Sequence, residues 1–118
     1  MSEVNEAGYQ SIRDWISSAD GWDYVSLRDE NGDEIERVEI SSDARADWIH
    51  GASDQVLEVE IDVQGSDYGS LPITFESTAS FEENSGGENL GEDTHVGATL
   101  VVEDDELTLR HRIEVPQL

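Results

Sequence analysis

The sequence predicts a mainly β, α+β fold: an antiparallel β-sandwich or small open barrel of about six strands with one N-terminal helix packed on it. Three observations carry this. Two segments alternate strictly between apolar and polar residues, one Asn-Gly pair sits between two short apolar runs, and a single segment near the start has helical periodicity. The 118 residues suit one domain with one continuous core, spanning residues 1–118.

The helix is read from NEAGYQSIRDWISSADGW. Asn5 can cap its start, and Tyr9, Ile12, Trp15 or Ile16, and Ala19 fall on one face. Asp20-Gly21 supplies the stop, with Gly21 expected in the left-handed position after the last turn. The next segment, WDYVSLRDENGDEIERVEI, reads as a hairpin with Asn31-Gly32 at its tip. A two-residue loop there pairs Val25 with Val38 and Leu27 with Glu36, so one face is apolar except near the turn. Residues 43–50 are ambiguous: Ser42, Asp43 and Gly51 frame a short helical turn, and Ala44, Ala46 and Trp48 alternate as an edge strand would. The helical turn is the slightly favoured reading.

In QVLEVEIDVQG, Leu57, Val59, Ile61 and Val63 alternate with Glu58, Glu60 and Asp62, the signature of a half-buried strand. SLPITFESTASF repeats it, with Leu71, Ile73, Phe75, Ala79 and Phe81 expected inward and Thr74, Glu76 and Thr78 outward. Pro72 suits an edge or a strand start. Residues 82–94, rich in glycine and acids, are expected to form a long mobile loop. A second hairpin should follow, turning at Asp104-Asp105. It would pair Val102 with Leu107, Leu100 with Leu109, Ala98 with His111 and Val96 with Ile113.

Charge is the strongest signal in the chain. There are 29 Asp and Glu against six arginines and no lysine, a formal net charge of −23. Hydrophobic content is 36% and mean hydropathy is −0.55; without the apolar alternation these values would suggest disorder. Such self-repulsion opposes compaction in dilute salt. At molar salt the Debye length falls to about 3 Å and surface carboxylates cease to repel across the surface. In this respect the composition resembles that of small acidic proteins from extreme halophiles, haloarchaea above all, which accumulate molar KCl. The resemblance is to a habitat and implies potassium ions and water at the acidic surface. Nucleic acid is excluded as a partner class by the absence of a basic surface.

The chain has no cysteine, so disulfides and thiolate chemistry are absent. The start lacks a basic and apolar leader pattern, and no apolar run approaches the roughly 20 residues of a membrane span. A cytoplasmic protein with no membrane association is expected.

Candidate sites are few. Arg110 and Arg112 flank His111 near the end of the chain. On the expected hairpin the arginines share an outer face, opposite Thr99 and Gly97, and should pair with acids such as Glu58, Glu60 or Glu76; an anion or partner site is the other reading. His111 points inward among Leu107, Leu109, Ile113 and Val115, as a bonded core histidine or as a pocket residue. The other histidines are His50 and His95, with His95 expected on the opposite face, so no metal-ligand spacing emerges. Asp29, Asn31 and Asp33 superficially resemble a calcium loop, but Gly32 stands at its fourth place and Ile40 at its twelfth. Weak adventitious cation binding at Asp29, Asp33 and Glu34 is the most that pattern supports. No nucleophile, phosphate-loop or zinc-hydrolase motif is present, and no cofactor is expected. Trp15, Trp22 and Trp48 should fill the helix–sheet interface; Trp22 or Trp48, if exposed, would anchor a protein partner.

The resulting expectation is a non-enzymatic accessory or protein-interaction module adapted to high salt. The alternatives are a small-molecule-binding barrel or sandwich with His111 in its pocket, possibly enzymatic, and a subunit of a larger, possibly viral or proviral, assembly.

Overall fold

A computed structural model describes residues 4–115. The chain forms α1 (Glu6–Ile16), β1 (Tyr24–Arg28), β2 (Glu34–Glu39), β3 (Ala46–Trp48), β4 (Val56–Gln64), a 3-10 turn at Gly65–Asp67, β5 (Ile73–Phe81), β6 (Gly91–Leu100) and β7 (Glu106–Glu114). Of the described residues, 45% are strand and 13% helix, and the antiparallel sheets curl into a half-barrel. One sheet has the order β2-β1-β5-β6 and the other β3-β4-β7. The chain therefore crosses between sheets three times, at β2–β3, β4–β5 and β6–β7.

Asn5 caps α1 as expected, its side chain accepting from Gly8 N at 2.9 Å. The buried face is Arg13 and Ile16 with Tyr9 beside them, while Ile12 and Trp15 are exposed. The helix ends at Ile16, and Gly21 lies beyond it without a positive φ. Glycine is needed there for a close approach instead: a Cβ would lie 1.9 Å from the Trp15 carbonyl oxygen.

The first hairpin keeps the expected register from Tyr24↔Glu39 to Leu27↔Glu36, then shifts by one so that Arg28 faces Glu34. The shift follows from the turn. Asp29 N donates to Asp33 O, leaving a three-residue loop in which Gly32, at φ 80°, takes the left-handed position. Residues 43–50 hold no helix; Ala46–Trp48 pairs with Val59–Ile61, and the alternation prevails because β4 offers an open edge.

β6 and β7 do not form the expected hairpin. β7 pairs along its whole length with β4, from Val56↔Glu114 to Gln64↔Glu106, and β6 pairs with β5. His111 thus faces Val59, not Ala98, and Val102 is exposed in the turn instead of meeting Leu107. Apolar alternation fixes which side of a strand is buried; it leaves the identity of the neighbouring strand open. Strand β6 also begins at Gly91, so the acidic loop is shortened to residues 82–90.

Between the sheets lies a core of Val25, Leu27, Val38, Ile40, Ala46, Val59, Ile61, Val63, Phe75, Leu100 and Leu109. A second cluster of Ile16, Leu57, Ile113 and Val115 seats α1 at one end, with Tyr9, Trp22 and Trp48 around it. Both tryptophans are half-buried, as a helix–sheet interface requires.

Candidate functional site

The polar interior is built by an irregularity between β5 and β6. β5 runs from Phe75 to Ser77 without an extra residue while residues 95–97 of β6 bulge opposite Glu76, and beyond that point the even-numbered residues of β5 face inward. Phe75 belongs to the core between the sheets, but beyond the bulge Thr78 and Ser80 turn inward alongside Leu27 and Val25 of β1. Thr78, expected outward, is fully buried. Ala79 and Phe81 move to the outer surface of the sheet, where Phe81 is covered by the Arg37 guanidinium at 3.8 Å from its ring centre. Arg37 Nη1 also donates to the carbonyls of Glu83 and Gly86, which ties the acidic loop to the sheet.

Thr78 and Ser80 meet His111, which has no exposed surface. His111 Nδ1 lies 2.7 Å from Thr78 Oγ1 and Nε2 lies 2.6 Å from Ser80 Oγ. His95, half-buried on β6, places its Nε2 3.0 Å from the same Thr78 oxygen. The expectation that His95 and His111 lie apart is therefore corrected. They share one hydroxyl because residues from 95 to 97 bulge opposite Glu76, re-aiming the His95 side chain. Burial lowers the His111 pKa to about 4, opposed by the nearby Asp93 carboxylate and reinforced by His95. Burial also lowers the pKa of His95, against the pull of Asp93. Asp93 in turn accepts from Arg112 N at 3.1 Å, a contact across the β6–β7 seam.

Arg110 and Arg112 are exposed and stand opposite Glu60 and Glu58 on β4. Arg112 Nε is 2.8 Å from Glu58 Oε2, and Arg110 reaches Glu60 at 3.4 Å and Glu58 at 3.8 Å. The cross-strand partners Thr99 and Gly97 fall away with the hairpin, while the pairing with Glu58 and Glu60 holds. Asp29 is occupied in the turn, its Oδ1 accepting from Asn31 N and Asp33 N, and Glu34 pairs with Arg37 at 2.7 Å. Among the described residues, no group of three or more His, Asp or Glu side chains is arranged to hold a metal ion.

The most exposed aromatic feature is one the sequence pattern assigned to the core. Trp15 is 51% exposed, Ile12 42% and Val4 49%. With Gly8 they form a stripe along α1, offset from the buried Tyr9–Arg13–Ile16 face. Acidic Glu6 and Asp14 lie on the same helix. Separately, Ile49, His50, Ser53, Asp54, Gln55, Val56 and Glu58 line an open depression beside the start of β4.

No family model, curated protein or solved structure matches the chain. No described helix is long and apolar enough to cross a membrane.

Proposed function

We propose that the protein is a non-enzymatic interaction module adapted to high salt, docking through the apolar flank of α1. The observation that carries this reading is the exposure of Ile12 and Trp15 on one side of a short helix whose other side is already buried. Tryptophan is the residue type most enriched among energetic anchors of interfaces. The flank lies on a chain of net charge −23, so the occupant is a protein presenting an apolar cleft rimmed by arginines, the residue that best pairs with exposed carboxylates. The acid-rich, lysine-free composition supports the high-salt setting. Such a partner would equally be a neighbour in a larger assembly.

Two features favour this over a pocket built on His111. Both ring nitrogens of His111 are taken by internal hydroxyls. Two open depressions on the surface are lined by other residues, including His50 in one and Arg45 in the other. The docking residue also moves, from Trp22 and Trp48, which are half-buried, to Trp15.

The test is capture from a halophilic lysate held in molar KCl by wild-type bait and by an Ile12→Ser/Trp15→Ser variant. Both baits are first matched by circular dichroism and melting temperature. A stoichiometric partner retained by the wild type and lost by the variant supports the reading. Equal retention by both sinks it.

A further inference from the structure

At the β6–β7 seam one hydroxyl has more contacts than hydrogens. Thr78 Oγ1 faces two imidazole nitrogens, His111 Nδ1 at 2.7 Å and His95 Nε2 at 3.0 Å, but its hydroxyl carries one hydrogen. A neutral imidazole has one N–H and one bare nitrogen. When Thr78 donates to His111 Nδ1, His111 carries its proton on Nε2 and donates it to Ser80 Oγ, 2.6 Å away. His95 Nε2 must then be the N–H that fills the remaining Thr78 lone pair. When Thr78 donates to His95 Nε2, every bond reverses. His95 carries its proton on Nδ1, His111 donates from Nδ1, and Ser80 donates to His111 Nε2.

We propose that His95, Thr78, His111 and Ser80 form one proton switch across the seam, in which the two imidazoles always hold the same tautomer and accept one extra proton between them. A proton added to the half-buried His95 makes its Nε2 a donor, which forces the second arrangement out and fixes His111 with its proton on Nε2. A second proton on His111 would turn both nitrogens facing Thr78 into donors and leave the Thr78 hydrogen without an acceptor in the chain. Going from the first arrangement to the second moves one hydrogen along each of the three bonds. It takes up one proton from solvent at His95 Nδ1 and releases one from Ser80 Oγ, so the total is conserved.

The surroundings leave the chain isolated. Opposite His111 on β4 stands Val59, and opposite Thr78 and Ser80 on β1 stand Leu27 and Val25. The charged group acting on both rings is Asp93 of β6, itself held by the Arg112 amide. Three strands are joined here by side chains, β5 through its hydroxyls and β6 and β7 through one histidine each. The switch therefore links the protonation of a partly accessible ring to the polarity of Ser80 inside the half-barrel.

Long-range 15N–1H correlation of the histidine rings tests this in the intact protein in molar KCl. At neutral pH the two rings should show the same tautomer or, under averaging, matching fractions of each. On acidification they should titrate one after the other, with His111 moving to the pure Nε2–H form as His95 becomes charged. Opposite tautomers on the two rings, unequal fractions, or independent titration would overturn the proposal. Thr78→Ser should keep the matching and Thr78→Val should abolish it; matching that survives in Thr78→Val also overturns it. If Thr78→Val does not fold, the wild-type pattern and Thr78→Ser decide alone.

Discussion

The half-barrel is closed at two corners by opposite kinds of chemistry. Where the chain passes from β2 to β3, Arg45 gathers three carboxylates: Glu36 at 2.7 Å, Asp43 at 2.8 Å and Asp67 at 3.3 Å. Tyr68 adds a hydroxyl on Glu36 at 2.7 Å. The bonds to Asp43 and Glu36 hold the guanidinium firmly charged, and burial with the neighbouring Glu36 pushes the Tyr68 hydroxyl up from its ordinary range. Where β6 lies beside β7, the closing contacts are uncharged imidazoles and hydroxyls, plus the Asp93 carboxylate on a backbone amide. One corner is an ion cluster gathered on the Arg45 charge. The other can change its hydrogen-bond direction. In a chain with six arginines, half of them serve just two places: Arg45 at the first corner, and Arg110 with Arg112 on the outer face of β4 and β7.

The ion corner gives the largest expected effect. Arg45→Met keeps the stem and removes the charge, leaving Glu36, Asp43 and Asp67 facing one another around an uncharged site. Removing one partner from a partly buried cluster costs about 3–4 kcal/mol. Chemical denaturation in molar KCl should show a lower midpoint with an unchanged slope. A loss indistinguishable from zero would mean that the corner is held by packing alone.

The proton corner answers to pH. Since the folded His111 pKa is depressed to about 4, the unfolded chain, with an ordinary value near 6.5, binds more protons between those limits. Stability tied to His111 is therefore complete above about pH 6.5, falls on acidification, and levels off below about pH 4, a total of about 3 kcal/mol. Carboxylate protonation acts on the whole surface at the same time, so the measurement is the difference from His111→Gln, which does not titrate. A pH-independent difference would remove the depressed histidine from the account.

These corners also mark where sequence reasoning stopped. The helix cap at Asn5, the register from Tyr24↔Glu39 to Leu27↔Glu36 and the acid–arginine face of Glu58, Glu60, Arg110 and Arg112 are all local or set by alternation. Each was legible because its cause lies within a few residues or in a period of two. The pairing of β7 was not, since Leu107, Leu109, His111 and Ile113 match the inner row of β4 as well as that of β6. Thr78 was misplaced for a second reason: the inward side of β5 changes near Glu76, and the residue that marks the irregularity, Gly97 at φ 49°, lies on the neighbouring strand. Trp15 was assigned to the core because its apolar neighbours on α1 satisfy two overlapping faces, of which the body covers one. The excess polarity of Ser77, Thr78 and Ser80 in a central strand was the available signal that β5 changes character midway.

Thr78→Val sharpens the comparison at the middle of the scale. It fills the same space but strips the hydroxyl from both rings, leaving His111 Nδ1 unpartnered in the interior. One buried polar atom without its bond costs about 1–2 kcal/mol. Melting in molar KCl should register it as a modest downward shift, while Arg45→Met shifts further. Equal shifts would mean that the neutral seam is as costly to break as the charged one.

The smallest effect belongs to the exposed face that the two corners leave between them. Glu58→Gln removes the carboxylate shared by Arg112 at 2.8 Å and Arg110 at 3.8 Å. Glu60 still faces Arg110, and both arginines are more than half exposed, at 53% and 59%, so the expected cost is about 0.5 kcal/mol. Losing one negative charge from a chain of −23 acts the other way, by easing self-repulsion. That relief grows as salt is withdrawn, because it sums over the whole surface and the Debye length lengthens. The ion pair strengthens as well, but only between neighbours already in contact. Unfolding of Glu58→Gln should thus show slight destabilisation in molar KCl that shrinks or reverses at lower salt. Destabilisation that deepens as salt is removed would mean that the local pairs outweigh the collective field, and that Arg110 and Arg112 hold β7 to β4 as firmly as Arg45 holds its corner.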